Sequence, residues 1–281
     1  AALHEDMGRL CALPGRFLQT GIAEANMIGL AGGMARSGEI PFVHSFCVFA
    51  TRRCYDQIAM QAAYPKLPVK IVGVIPGLTT MLGVSHQAID DVALMRALPN
   101  MRVIEPACPA HMPDAVRAAL DYEGPVYLRL KRASPNDTAG ERERAPLERL
   151  HVWREGADGI IVASGLIVEQ SLAAADLLAA DRISAGVVEI ATIKPLDPAL
   201  VDLCRQVPLV LTAENHSVIG GLGSAVAELL MEAGVNPGFA RIGVTDTFAE
   251  GGTSEYLFAR YGLDAGAIAG RFRRLHFSLR R

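Results

Sequence analysis

A single carboxylate stands inside a stretch of apolar, small and uncharged polar residues. It is Glu24, in the segment TGIAEANMIGLAGGMA at residues 20–35. A buried carboxylate is costly or takes up a proton unless a partner compensates its charge. Two interpretations follow. Glu24 caps a helix that a short preceding strand leads into, since carboxylates are favoured at helix N-termini, or its apolar surroundings serve a chemical purpose.

An aromatic cluster follows in a chain that is otherwise poor in aromatic residues. The segment IPFVHSFCVFATRR at residues 40–53 contains Phe42, Phe46 and Phe49 together with His44, whereas aromatic residues make up 6% of the whole chain. The rings could form a wall that stacks on a flat heteroaromatic ligand. Ordinary core packing of a strand or a helix start is the alternative.

A histidine stands near the end of the next motif. The glycine-rich segment PGLTTMLGVSHQAIDD at residues 76–91 reaches His86 at the predicted start of a helix. A histidine in that position suits proton transfer or binding of a substrate hydroxyl group, because imidazoles in general donate and accept protons near neutral pH. A histidine that only binds loop carbonyl groups is the alternative.

Short β-rich runs alternate with alanine-rich helical runs along the chain. This alternation predicts right-handed crossovers and parallel sheets, and therefore an α/β fold. The charged, proline-containing segment at 131–150 predicts a linker, so we expect one domain at 1–132, a linker at 133–149 and a second domain at 150–281. Strands are predicted at 69–75, 101–106, 125–130, 159–165, 185–193 and 207–215, and helices at 86–98, 109–122, 168–180 and 221–234.

The composition limits the class of protein. A formal net charge of −3 offers no basic field for nucleic acid. The five cysteines include no C-x-x-C pair and no metal-ligand spacing, and they predict reduced thiols in a cytoplasmic protein. No stretch reaches the ~20 apolar residues of a membrane-spanning helix, and no signal sequence is recognisable, so we expect no membrane segment.

The order of the motifs resembles the transketolase family. The matching residues are G-I-A-E-x-x-M around Glu24, I-P-F-x-x-x-F-x-x-F through Phe49 and G-x-x-H-Q at His86, followed by GPVYLRLKR, TAENHSVIGGLGSAVAELL and EGGTSEYLFARYGL. More narrowly, the chain resembles the separately encoded C-terminal subunit of a split transketolase, from about residue 16 to residue 268. The resemblance implies two three-layer α/β/α domains with mainly parallel sheets, a pyrimidine-binding domain and a transketolase C-terminal domain.

The resemblance also implies a cofactor and a role for each motif. Family members use thiamine diphosphate, whose aminopyrimidine acts as the base once an acid binds its ring nitrogen. Glu24 corresponds to that acid, and an apolar pocket would raise its pKa so that it stays protonated. Phe49 corresponds to the aromatic residue that stacks on the aminopyrimidine, with Phe46 on the same wall. His86 corresponds to the active-site histidine at the donor sugar.

The substrate contacts depart from the usual family pattern. Arg132 matches an arginine that binds the substrate phosphate, and an ordinary linker charge is the alternative. Typical relatives have an Asp and a second His where this chain has Leu82 and Val74. These changes remove polar contacts to a sugar phosphate and argue against the common pentose and heptose phosphates as substrates. His44 could compensate as a substrate-binding residue.

A G-D-G…N motif, with which the family binds the diphosphate and a divalent metal, is not found in the chain. We therefore expect no metal ligand here, and a partner, the N-terminal transketolase subunit, that supplies the diphosphate site with Mg²⁺ or Ca²⁺. The family pattern implies an α2β2 heterotetramer whose isolated C-terminal subunit is inactive. The segment before residue 16 is short compared with relatives, so we also expect a trimmed start or a missing stretch between Cys11 and Leu13.

The resulting hypothesis is an enzyme subunit that transfers a two-carbon ketol unit between a ketose and an aldose, with phosphorylated or modified sugars as substrates. The alternatives are the β subunit of a 2-oxo-acid dehydrogenase and a non-catalytic assembly subunit. A nucleotide-binding module based on ENHSVIGGLGSAVAE is not supported, because its glycines do not meet the G-x-G-x-x-G spacing.

Overall fold

A computed structural model of the protein describes residues 15–131 and 146–280. Within these ranges the chain forms two five-stranded sheets flanked by helices. Arg132, most of the predicted linker and the region between Cys11 and Leu13 lie outside the described residues. The expectations about them, and the domain boundaries, stay predictions.

The first half of the described chain alternates strands with helices. Its elements are α1 (Glu24–Arg36), β1 (Phe42–Phe46), α2 (Cys47–Thr51), a 3-10 turn (Arg52–Cys54), α3 (Tyr55–Ile58), a π-helical turn (Ala59–Ala63), β2 (Lys70–Val74), α4 (Asp91–Ala97), β3 (Arg102–Ile104), a second 3-10 turn (Pro109–His111), α5 (Met112–Asp121) and β4 (Val126–Leu130).

The second half continues the alternation. Its elements are β5 (His151–Arg154), β6 (Gly159–Ala163), α6 (Ile167–Ala180), β7 (Ala185–Glu189), β8 (Thr192–Lys194), α7 (Ala199–Arg205), β9 (Leu209–Ser217), α8 (Leu222–Glu232), β10 (Gly238–Val244), α9 (Ser254–Tyr261) and α10 (Ala265–Ser278). Among the described residues, none of these helices combines the length and the apolar character that crossing a bilayer demands.

Each sheet is parallel except for one edge strand. The strand orders are β1-β2-β4-β3-β8 and β10-β9-β6-β7-β5. β8 pairs antiparallel with β3, with Val103 opposite Lys194, so the second half of the chain provides an edge strand for the first sheet. β5 pairs antiparallel with β7 at the edge of the second sheet. The predicted α/β class with two mainly parallel sheets is confirmed.

The central strands of the second sheet are buried on both faces. All residues of β6 and β7 are buried, and so are eight of the nine residues of β9. Strands covered by helices on both sides carry apolar residues without the alternation of a half-exposed strand. In such sheets, the loops that follow the carboxyl ends of the strands provide the binding sites.

The short strand predicted before Glu24 is wrong. Residues 17–23 form no regular structure. The apolar side chains of Leu18 and Ile22 in this segment are 56% and 93% exposed, so burial does not drive the segment onto a sheet. α1 therefore begins at Glu24 directly after an irregular segment.

Two other predictions of element length need correction. The helix predicted at 86–98 spans only Asp91–Ala97, because Ala88 O accepts a hydrogen bond from Gly77 N and forms an isolated antiparallel bridge there. His86 therefore lies in a turn before the helix. The single strand predicted at 185–193 forms both β7 and β8, which belong to different sheets.

Candidate active site

The carboxylate of Glu24 is buried at the start of α1, beside the end of β1. The residue is 7% exposed. Its Oε1 accepts a hydrogen bond from Ser45 Oγ (3.1 Å), and its Oε2 accepts one from Arg53 Nη1 (2.9 Å). Ala23 occupies the N-cap position, and α1 has no side-chain cap. The Glu24 side chain therefore makes contacts outside its own helix.

The expected rise in the pKa of Glu24 is wrong for the chain alone. Burial raises this pKa, but the backbone N–H of Glu24 and hydrogen bonds from Arg53 and Ser45 lower it, as does the positive charge of Arg53. The net pKa lies below its ordinary value. The apolar sequence around Glu24 gives no sign of these partners, because they lie 21 and 29 residues further along the chain.

Three rings form one cluster at the end of β1. Phe46 and Phe49 stack with their centroids 5.8 Å apart. The imidazole of His86 contacts both rings edge-on, at 5.9 Å from Phe46 and 5.1 Å from Phe49. Arg53 Cζ lies 4.1 Å from the centroid of Phe49, and Arg53 thereby connects the rings to Glu24. The structure thus brings together four of the residues that the motifs single out: Glu24, Phe46, Phe49 and His86.

Arg53 lies between the acid and the aromatic wall, and no sequence motif identified it as a site residue. Its guanidinium packs on the ring of Phe49 while it donates to Glu24. A guanidinium can do both because it is flat and carries its N–H donors in its own plane. The arrangement therefore accommodates a flat hydrogen-bond donor between Glu24 and Phe49.

His86 is held within a tight turn. Its Nδ1 lies 2.9 Å from Ser85 Oγ, and its backbone N–H donates to Gly83 O (3.0 Å). Leu82 is exposed in the same loop, and Val74 ends β2 opposite Phe46. Apolar side chains therefore occupy the two positions at which the resemblance led us to expect Asp and His.

His44 stands apart from this cluster. It lies in β1 opposite Val72 with an exposed side chain, and among the described residues it takes no part in the hydrogen bonds and ring contacts that join the other four. Arg132 lies outside the described residues. Within 15–131 and 146–280, no group of three or more His, Cys, Asp or Glu side chains is arranged to hold a metal ion.

The glycine-rich turn before α8 is occupied by the side chain of Glu214. Glu214 accepts hydrogen bonds from the backbone N–H groups of Leu222 (2.6 Å) and Gly223 (2.9 Å) at the start of the helix. A Cβ on Gly221 would lie 1.9 Å from Glu214 Oε2, so this approach requires glycine. Because the helix N-terminus already binds a carboxylate, it is not open to a nucleotide phosphate.

A buried ion network joins the two halves of the chain. Arg129 in β4 donates to both carboxylate oxygens of Asp91 (2.7 and 3.1 Å) and to Glu105. It also donates to the carbonyl oxygens of Ala88 (3.1 Å) and Asn215 (3.0 Å). Burial raises the pKa of Asp91, but the charge of Arg129, the charge of His216 and the hydrogen bonds from Arg129 and Tyr127 together hold this pKa below its ordinary value. An arginine inside the apolar run PVYLRL is the sequence signal for this network.

Known protein families and proteins resemble this chain over most of its length. Two family models match, "Transketolase, pyrimidine binding domain" at residues 1–136 and "Transketolase, C-terminal domain" at residues 148–268. The 6-deoxy-6-sulfo-D-fructose transketolase subunit SqwH of Clostridium sp. (strain MSTE9) is 44% identical over 91% of this chain and 80% of the relative. The putative transketolase C-terminal section of Methanocaldococcus jannaschii is 42% identical over 92% of this chain and 82% of the relative.

A solved structure gives the same result. The protein described as "Split gene transketolase, inactive beta4 tetramer" superposes with a TM-score of 0.87 at 43% identity, over 96% of this chain and 87% of that chain. The chain therefore belongs to the transketolase family and contains its pyrimidine-binding and C-terminal domains.

Proposed function

We propose that this chain is the C-terminal subunit of a thiamine-diphosphate-dependent transketolase-like enzyme that transfers a two-carbon ketol unit between a ketose and an aldose. The observation that carries the proposal is the single cluster of an acid, two stacked rings and an imidazole at the end of β1. An acid, a stacking wall and a proton-transfer group are what the cofactor and a donor sugar require.

The cluster fits the aminopyrimidine ring of thiamine diphosphate. Arg53 presents a flat N–H donor that packs on Phe49 and bonds to Glu24, so a flat ring with a hydrogen-bonding nitrogen suits the same two partners. When bound, the cofactor supplies a nucleophilic thiazolium carbon. Glu24 would bind the ring nitrogen, and Phe49 would stack on the ring with Phe46 beside it. His86 would hold or transfer a proton at the donor sugar's oxygens.

Glu24 must exchange partners for this role. In the chain alone, the hydrogen bond and charge of Arg53 help to lower the pKa of Glu24. A ring in place of the guanidinium would remove that charge and exclude water, and both changes raise the pKa of a carboxyl group. In this proposal Arg53 would move away from Glu24 on binding of the cofactor and the partner subunit, and Glu24 would then donate a hydrogen bond to the ring nitrogen.

The partner in this proposal is an N-terminal subunit that binds the diphosphate with Mg²⁺ or Ca²⁺ in an α2β2 assembly. One relative of this chain is named as a transketolase subunit and another as a C-terminal section. The solved relative is described as a split-gene transketolase whose β4 tetramer is inactive. An inactive form built of one kind of subunit supports the need for a second kind.

The proposed donor is a ketose with an anionic or modified end. Leu82 and Val74 offer no polar contacts to the common sugar phosphates, and the Clostridium relative is named for 6-deoxy-6-sulfo-D-fructose. We assign Arg132 to the anionic group, since a guanidinium binds two oxygens of a phosphate or sulfonate at once. His44 is assigned to a further contact with the substrate.

An assay of the chain co-purified with its N-terminal subunit tests the proposed function. Thiamine diphosphate and Mg²⁺ are added, with D-fructose 6-phosphate or 6-deoxy-6-sulfo-D-fructose as donor and an aldose phosphate as acceptor. We expect ketol transfer and no decarboxylation of 2-oxo acids. Decarboxylation without ketol transfer would instead identify a 2-oxo-acid dehydrogenase subunit. An assembled complex that does neither would identify a non-catalytic assembly subunit.

A further inference from the structure

A buried side chain of the second half of the chain, Asn215, is bonded to the start of the loop that carries His86. Asn215 lies in β9 and is 2% exposed. Its Oδ1 accepts a hydrogen bond from Leu78 N (2.9 Å), and its Nδ2 donates to Pro76 O (3.0 Å). The carboxamide thus pairs with two backbone groups of the loop, using one acceptor and one donor as a neighbouring strand would.

The backbone at this contact has an unfavourable conformation. Ile75 has a φ of 61°, in the left-handed region that β-branched residues rarely adopt. Gly77 has a φ of 53°, and a Cβ there would lie 2.3 Å from both O and Oδ1 of Asn215. Strain of this kind persists only where surrounding contacts enforce it, and it is concentrated at functional sites. Asn215 supplies two of the contacts that hold this segment.

The other end of the loop, at Ala88, is bonded to the same backbone segment and to Arg129. Gly77 N donates to Ala88 O (3.0 Å), which closes the loop at its base. Arg129 Nη2 donates both to Ala88 O (3.1 Å) and to Asn215 O (3.0 Å). His86 lies two residues before Ala88 in the sequence. The position of the His86 imidazole against the aromatic rings therefore depends on the two ends of the loop, at Gly77 and Ala88, which are held against β9.

We propose that Asn215 is a positioning residue that sets the orientation of His86 toward the aromatic pair. The proposal rests on the proposed role of His86 in ketol transfer. It gives the C-terminal domain a part in the reaction although none of its groups touches the substrate in this scheme. Displacing a catalytic group by about 1 Å can cost 100-fold in rate. Loss of the two Asn215 side-chain hydrogen bonds should therefore slow turnover and leave the function of Glu24 intact.

Amide hydrogen exchange of the chain tests these two hydrogen bonds independently of activity. In Asn215→Ala we expect the amide of Leu78 to exchange at least about 10-fold faster than in the wild type, because its acceptor is gone. Thr212→Val is the matched control. Thr212 is buried in the same strand, and its hydroxyl has no hydrogen-bond partner among the described residues. Unchanged exchange at Leu78 in Asn215→Ala would overturn the proposal.

Turnover of the assembled complex tests the positioning role, with whichever of the two ketose donors the wild type uses. In Asn215→Ala we expect kcat/KM for ketol transfer to fall about 100-fold, while exchange of the cofactor's thiazolium proton stays at the wild-type rate. Thr212→Val should match the wild type in both measurements.

The pH profile of Asn215→Asp separates positioning from general damage. A neutral carboxyl group regains an O–H donor for Pro76 O, whereas a carboxylate has none. The activity of Asn215→Asp relative to the wild type should therefore rise as pH falls, and that of Asn215→Ala should not. The charged and titratable groups near this position are Arg129, which donates to the Asn215 carbonyl oxygen, its carboxylate partners Asp91 and Glu105, and the neighbours of Asn215 in β9, Glu214 and His216.

The outcomes distinguish the two proposals. Equal losses of turnover and thiazolium exchange in Asn215→Ala, or a pH-independent loss in Asn215→Asp, would overturn the positioning role. If Asn215→Ala kept full turnover, the positioning role would be refuted and the proposed function would stand. A wild-type complex without ketol transfer would refute the proposed function, and the positioning role would fall with it.

Discussion

Among single residues, Arg53 is one of the groups that keep Glu24 charged, beside the backbone N–H of Glu24 and the hydroxyl of Ser45. The ion pair has 2.9 Å between Nη1 and Oε2, and the Arg53 side chain is 45% exposed while that of Glu24 is buried. A pair that is half open to water breaks at a cost on the order of 1 kcal/mol. Arg53 can therefore give way to a ligand. The sequence marks Glu24 as unusual, but its partner depends on how α1 meets the 3-10 turn and cannot be read from local pattern.

We predict that Arg53→Met raises the pKa of Glu24 in the chain alone. The substitution removes the charge and the hydrogen bond that lower this pKa, and it keeps an apolar stem on Phe49. A pH titration of the side-chain carboxyl carbon by NMR measures the change. Arg52→Met is the matched control, because Arg52 pairs with Asp90 instead. The same Glu24 pKa in both variants would contradict the role of Arg53.

The lowered pKa of Glu24 also predicts how stability depends on pH. Its contribution to stability is present above the unfolded value of about 4.5 and is lost as pH falls through the lower folded value. We expect Glu24→Gln to lower the free energy of unfolding by roughly 1 kcal/mol at pH 7 and by less at pH 3. Denaturant unfolding at both pH values measures this, and a deficit that grows on acidification would be inconsistent with a lowered pKa.

At the scale of elements, close packing of α1 on the π-helical turn Ala59–Ala63 places Glu24. Gly32 makes this possible, because a Cβ there would lie 2.9 Å from both Cβ and O of Gln61. The sequence predicts close packing from the small residues at 29–35. In the structure the close packing is confined to the side of the helix that carries Gly32, because a Cβ on Gly29 or Gly33 would face open space.

Two substitutions in α1 should therefore have opposite effects. We predict that Gly32→Ala costs about 1–3 kcal/mol of stability, because the added methyl group meets backbone that cannot move freely. Gly29→Ala should stabilise the chain by roughly 0.5–1 kcal/mol, since alanine is favoured over glycine inside a helix. Thermal or denaturant unfolding of the chain compares them. Equal effects of the two variants would argue against close packing at Gly32.

Long elements could be predicted from the sequence, and their ends could not. The apolar runs of β6 and β9 and the amphipathic run of α6 carry their own signal. The late start of α4 and the division of residues 185–193 into β7 and β8 depend on contacts with distant parts of the chain. For the same reason the motifs identified Glu24 and His86, whereas Arg53 became visible only in three dimensions.

At the scale of the whole molecule, Arg129 holds the two halves together. Its guanidinium reaches Asp91 and Glu105 in the first half and a carbonyl oxygen of Asn215 in the second. All of these residues are buried. Removing one member of a buried ion network leaves the opposite charges without compensation, which is far more costly than losing a surface pair.

We predict that Arg129→Met lowers the free energy of unfolding by roughly 3–5 kcal/mol, because Asp91 and Glu105 are left buried and unpaired. Arg205→Met is the control, since Arg205 and Asp202 form an exposed pair within α7 whose loss should cost no more than about 1 kcal/mol. Denaturant unfolding of both variants gives the comparison. Similar costs would show that the buried network contributes little to joining the halves.

In the proposed function, Glu24 activates the cofactor by promoting loss of its thiazolium proton. Hydrogen–deuterium exchange at the thiazolium carbon measures that activation directly. The complex with the N-terminal subunit, thiamine diphosphate and Mg²⁺ is compared with the same complex carrying Glu24→Gln. Exposed Glu39 provides the control Glu39→Gln. We predict that Glu24→Gln slows the exchange about 100-fold or more, while Glu39→Gln matches the wild type. Equal exchange rates in the wild type and Glu24→Gln would contradict the assignment.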